Sequence, residues 1–193
     1  MTNQTVTLIP TPMTAESFAP YGEILYPNEH PADRRTTTLS GFQCDGQVRI
    51  STMWQPAREL SFTRLERHYG VTQTFFQLSG APSVVCAALP TSIDDASAIP
   101  APDDIRAFLI DPKQGWAFHI GTWHSLDRYV LEPPGATFAM INVDPNPTQV
   151  VNYQTGESVI FRDLDIGEPA REAAAHPHRV RFEIKGQQRA VTG

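Results

Sequence analysis

The stretch Glu66-Arg67-His68-Tyr69-Gly70-Val71-Thr72-Gln73, followed by Gly80, decides how the rest of the chain is read. It has the form E-x-H, four residues, Q, six residues, G. Residues 62–68 carry a strand pattern. Side chains alternate across a strand, so Glu66 and His68 share one face. Gly70 allows a bend, after which Gln73 enters from the next strand, expected at 74–78. Gly80 allows the following turn.

A second polar cluster lies about 50 residues further on. In His119-Ile120-Gly121-Thr122-Trp123-His124 the glycine turns the chain and His124 opens a strand that points inward. His119 alternates with Trp116 and Phe118 and faces either the site or solvent. The two clusters resemble the paired motifs of cupin barrels, H-x-H-x4-E-x6-G and P-x-G-x-x-H. Glu66, Gln73 and His119 replace the usual histidine, glutamate and proline. In cupins the two motifs meet at a metal.

The intervening sequence supports a β-rich reading. Proline and glycine punctuate short segments, and helical periodicity is nowhere sustained. Strands are expected at 48–54, 62–68, 74–78, 83–89, 106–110, 116–120, 129–131, 137–143, 158–161 and 180–184. The run Val84-Val85-Cys86-Ala87-Ala88-Leu89 is apolar throughout, so both faces of its strand are expected to be covered. Thr14 is expected to cap a short helical turn through Phe18. Trp54, Phe75 and Trp116 read as core, and 168–178 as an arm or loop. The expected fold is all-β, a cupin-like double-stranded β-helix (jelly-roll barrel) with a few short helices. It forms one domain over 1–185, with a disordered tail at 186–193.

Composition narrows the function. The chain has 193 residues and a net charge of −6, which argues against nucleic acid as a partner, since phosphate binding needs a basic footprint. Cys44 and Cys86 form no C-x-x-C motif; Cys86 reads as a buried structural thiol. No stretch has the length of a membrane span or the form of a signal peptide. A cytoplasmic protein with no membrane partner is the default expectation.

The chemistry rests on few side chains. Glu66, His68 and His124 offer a shell of two histidines and a carboxylate, and Gln73 adds an amide oxygen. That set suits a divalent metal (nickel, zinc, manganese or iron). A polar interior working without metal is the alternative. Arg106 reads either as a structural ion pair or as an anchor for a substrate carboxylate, and Arg128, four residues after His124, reads the same way. His30, His176 and His178 lie among prolines and read as surface residues.

Three stretches together resemble the ureidoglycolate lyase family, a cupin-fold group. The first is Leu8-Ile9-Pro10 with Thr14-Ala15-Glu16-Ser17-Phe18-Ala19-Pro20-Tyr21-Gly22-Glu23-Ile24. The second is Leu65-Glu66-Arg67-His68 with Thr72-Gln73-Thr74-Phe75 and Gly80. The third is Ile105-Arg106-Ala107-Phe108-Leu109, Gln114-Gly115 and Gly121-Thr122-Trp123-His124. The chain departs from that family's pattern at Ser125 and Leu126, at Trp54, and in its longer segment after Pro145.

The resemblance implies a homodimer, a divalent metal such as nickel, and Glu66, His68, Gln73, Arg106 and His124 as site residues. It implies a carbon–nitrogen lyase that cleaves ureidoglycolate, a small carboxylated hemiaminal, to glyoxylate and urea. In that reaction Glu66, His68 and His124 are catalytic, Gln73, Arg106 and Arg128 hold substrate, and Tyr69 is a further candidate acid. The alternatives are another small carboxylic acid as substrate, or a binding protein without catalysis.

Overall fold

A computed structural model describes residues 4–26, 37–93, 95–163 and 170–186. The strands run β1 Gln4–Leu8, β2 Thr11–Pro12, β3 Gly22–Leu25, β4 Gln47–Pro56, β5 Ser61–Phe62 and β6 Arg64–His68. They continue as β7 Thr74–Gly80, β8 Ser83–Ala88, β9 Arg106–Ile110, β10 Gly115–Phe118, β11 Trp123–Ser125 and β12 Tyr129–Val130. The last five are β13 Gly135–Asp144, β14 Thr148–Asn152, β15 Glu157–Phe161, β16 Ala170–Ala175 and β17 Val180–Ile184. Between β2 and β3 lies the short helix α1, Ala15–Phe18, capped by Thr14, whose hydroxyl accepts from the Ser17 N–H as the sequence suggests.

The ladders form three sheets. Five strands pair in the order β3-β10-β7-β13-β4. Nine belong to the largest sheet, ordered β16-β15-β14-β6-β11-β8-β9-β2, with β12 beside β8. Three more pair as β1-β17-β5. Most pairs are antiparallel, but β1 with β17 and β2 with β9 are parallel.

The expected jelly-roll barrel is therefore corrected. The protein is all-β, but among the described residues no sheet pairs its first strand with its last. Alternation along a strand reports which side chains share a face; it does not report whether the sheet closes.

The nine-stranded sheet has apolar side chains on both faces. One core joins it to the five-stranded sheet through Val85, Ala87 and Phe108 on one side and Phe75, Trp116, Phe118 and Phe138 on the other. A second core joins its opposite face to the three-stranded sheet, with Leu65, Cys86, Trp123 and Val151 packed beside Phe62, Val180 and Phe182. Every residue of β8 is buried as a result, whereas Leu89, the last of the apolar run, lies past the strand and is exposed.

Three smaller expectations change. Phe75 and Trp116 stack at 5.3 Å, but Trp54 is 55% exposed and lies outside the core. Part of the presumed arm is strand β16, paired with β15. His176, read as a surface residue, is buried against Tyr153. His30 and most of the presumed tail lie outside the described residues. Among the described residues no helix is long and apolar enough to cross a membrane.

Candidate functional site

The site forms at one end of the core between the nine- and five-stranded sheets. Glu66 and His68 share a face of β6 by alternation. On β11, His124 is in register with Glu66. Residues paired across a ladder point to the same side of the sheet, so His124 joins them. Ligand atoms of Glu66, His68 and His124 all lie within 4.8 Å of one another. The Glu66 Oε1 is 4.0 Å from His68 Nε2 and 3.8 Å from His124 Nδ1. Both histidines are buried, whereas the Glu66 side chain keeps 14% exposure, so Glu66 is the member nearest solvent.

Hydrogen bonds fix both imidazole tautomers. His68 Nδ1 lies 2.9 Å from the Thr148 hydroxyl. That hydroxyl gives its own hydrogen to the Asn146 carbonyl at 2.9 Å. It can therefore only accept from His68, so Nδ1 carries the proton and Nε2 the lone pair. His124 Nδ1 is 3.2 Å from the Ser125 carbonyl, which also can only accept. Its Nε2 is likewise a lone-pair nitrogen. Both Nε2 atoms and the Gln73 Oε1 are buried without a hydrogen-bond partner.

Burial keeps the imidazoles neutral. It pushes His68 down to about 3, with the positive charge of Arg128 adding to the effect. His124 is held well below the usual histidine value by burial, then by His68 and Arg128. Phe118 stacks on His124 at 4.5 Å with the rings 13° apart, fixing its plane.

Arg128 is 2% exposed. One Nη donates to the Leu126 carbonyl at 2.9 Å, and the guanidinium lies 3.7 Å over the Phe75 ring. Its Nε and other Nη are buried without a hydrogen-bond partner. Burial lowers its pKa to about 10, with Glu66 the main opposing influence. It stays charged at neutral pH, beside the cluster.

Gln73 is buried at the foot of β7, and its Nε2 touches the Met140 sulfur at 3.6 Å. The other arginine named from sequence is elsewhere. Arg106 is exposed at the start of β9 and donates to the Asp103 and Ile105 carbonyls. His119 is exposed and contacts the Ala19 carbonyl. Tyr69 alternates away from His68 and donates to Gln149.

Sequence reading missed Thr148 and Phe118, which position His68 and His124. It also missed Arg67, which is fully buried on the opposite face of β6 and clamps Gln149, Thr91 and Ser92.

The donor set fits a divalent cation. Two neutral imidazoles and a carboxylate bring ligand atoms within 4.8 Å of one another, and each imidazole donates one N–H to an oxygen, the usual outer support of a ligating histidine.

The family profile described as Ureidoglycolate lyase matches residues 5–160. A ureidoglycolate lyase of Rhodobacter capsulatus is 34% identical over 136 residues, covering 65% of this chain and 78% of that protein. One of Stutzerimonas stutzeri is 32% identical over 130 residues, covering 61% and 73%. One of Pseudomonas fluorescens is 30% identical over 130 residues, covering 61% and 74%. With the profile spanning both strands of the polar cluster and most of the chain, this protein belongs to the ureidoglycolate lyase family.

Proposed function

We propose that this protein is a carbon–nitrogen lyase that eliminates urea from ureidoglycolate, leaving glyoxylate. The observation that carries the reading is the pairing of a charged, under-bonded Arg128 with the Glu66, His68 and His124 cluster. A small acid bearing a carboxylate and a hydroxyl on neighbouring carbons matches that pairing.

Arg128, rather than Arg106, holds the substrate carboxylate with its two unsatisfied N–H donors. Glu66 accepts the hydroxyl proton. The oxygen electrons then form the C=O bond, the C–N bond breaks, and its electrons leave with nitrogen. Glu66 returns the proton to that nitrogen, so urea departs neutral and the carboxylate is restored. Neutral His68 and His124 cannot act as acids at neutral pH; their Nε2 atoms accept and orient. Tyr69 faces away and takes no part.

His68, His124 and Glu66 are the residues that would hold a divalent cation. When bound, it would act as a Lewis acid that lowers the hydroxyl pKa.

At two of the departures from the family pattern the side chain stands away from this site. The Ser125 hydroxyl accepts from the Cys86 N–H and donates to the Asp127 carbonyl, and Trp54 is exposed. The decisive experiment incubates purified protein with ureidoglycolate, with and without added nickel, zinc, manganese or iron. Stoichiometric urea and glyoxylate are expected. Absence of both under every condition removes the lyase reading and favours a binding protein.

A further inference from the structure

We propose that Asn142, together with Gln73, forms an acceptor wall that reads the N–H groups of the leaving group. The site then selects acids carrying a ureido substituent over isosteres without those donors. This rests on the lyase reading and deepens it.

Phe138, Met140 and Asn142 share one face of β13 by alternation. Phe138 belongs to the core between the two larger sheets, and Met140 packs against it. Ile141 is in register with Thr74, the residue after Gln73. The Met140 sulfur already contacts the Gln73 amide. The same face therefore carries Asn142 past Met140 to the end of the core, beside Gln73.

Asn142 is 5% exposed and Gln73 4%. The side-chain oxygen of each is buried without a hydrogen-bond partner. Buried amide oxygens are nearly always satisfied, so two on adjacent strands at a site call for a donor. His68 cannot supply it, because its Nε2 carries a lone pair. Gln73 lies within hydrogen-bonding reach of that histidine.

Beside the same cluster, Arg128 offers the opposite pattern, two N–H groups without acceptors. The arginine asks for an anion and the two amides for N–H donors. A ureido acid supplies both: its carboxylate accepts, and its planar ureido edge presents several N–H hydrogens to two oxygens. A site built to bond a donor rejects the analogue that lacks it, because its own oxygen is then left unpaired.

The test measures binding, so it stands apart from turnover. N-carbamoylglycine has the carboxylate and ureido group but no α-hydroxyl, so it cannot eliminate. N-acetylglycine replaces its terminal NH2 by methyl. By calorimetry the wild-type protein should prefer carbamoylglycine by about tenfold or more. Asn142→Leu should lose that preference, with thermal melting to confirm folding. If the leucine variant does not fold, Asn142→Ala is read the same way, and the wild-type ratio decides by itself.

No binding of carbamoylglycine, equal wild-type affinities, or a preference that survives in the folded variant overturns the inference. Discrimination without urea release from ureidoglycolate would fail the lyase reading alone. Urea release without discrimination would fail this inference alone.

Discussion

His68 Nδ1 donates to the Thr148 hydroxyl across 2.9 Å, and the Thr148 hydrogen is already committed to the Asn146 carbonyl. That chain of two bonds turns a histidine that could present either nitrogen into one that presents a lone pair to the site. Replacing Thr148 by valine keeps its shape and removes the acceptor. Divalent-ion affinity and kcat/KM for urea release are both expected to fall about ten- to a hundredfold, the usual cost of losing such support. Unchanged values in a folded variant would contradict the tautomer assignment.

Glu66→Gln retains volume and removes the base. His124→Ala removes one lone-pair nitrogen and the ring stacked on Phe118. Each should lower kcat by about a hundredfold or more, on the scale of acid–base residues, with little change in melting temperature for Glu66→Gln. Turnover close to wild type in both would refute the proposed chemistry.

Arg128→Met separates binding from stability. The substitution removes the carboxylate anchor, so KM should rise by about a hundredfold or more. It also removes a buried charge with two unsatisfied donors, so the melting temperature should hold or rise. Arg106→Met, on the exposed end of β9, should change KM little. Steady-state kinetics and thermal melts on the two variants check the contrast.

Arg67 makes the opposite case. Its guanidinium gives two bonds to the Gln149 side chain at 2.8 and 2.6 Å and others to Thr91 and Ser92, and it stacks 4.5 Å over Trp123. Methionine there strands several buried acceptors. A loss of about 3–5 kcal/mol in urea denaturation is expected.

Stability should also depend on pH. His68, His124 and His176 are all lowered by burial, His68 to about 3. His176 faces Tyr153, His178 and Arg179. In the unfolded chain these imidazoles take up protons near the ordinary value of about 6.5, whereas the folded protein keeps them neutral. Their stabilising contribution is thus full above that pH. It falls as pH drops toward the folded values, and for His68 the window reaches about 3. Each contributes up to about 1.4 kcal/mol per pH unit within its window. Urea midpoints in chelator at falling pH should show this slope, and His176→Asn should reduce it. A flat profile would contradict neutral burial.

Several elements were legible because they depend on local backbone geometry. Thr14 capping α1 is a contact three residues long. Gly80 and Gly121 adopt φ of 95° and 80°, which the turn reading requires of glycine. Glu66 and His68 share a face because strands have a period of two. The same local rules misread His176 and Trp54, whose burial is set by strands distant in sequence.

What the sequence by itself determined is the β-rich class, the two glycine-punctuated clusters and the polar residues that meet. Alternation and spacing are properties of a short stretch of backbone, and they need no knowledge of what lies opposite. Only the tertiary structure decided that the sheets stay open among the described residues, that Arg128 and not Arg106 lies beside Glu66, and which nitrogen of His68 is available. Each of these depends on pairing register and packing between segments far apart in the chain. The competing arrangements have the same local pattern and differ only in which buried donor finds which acceptor.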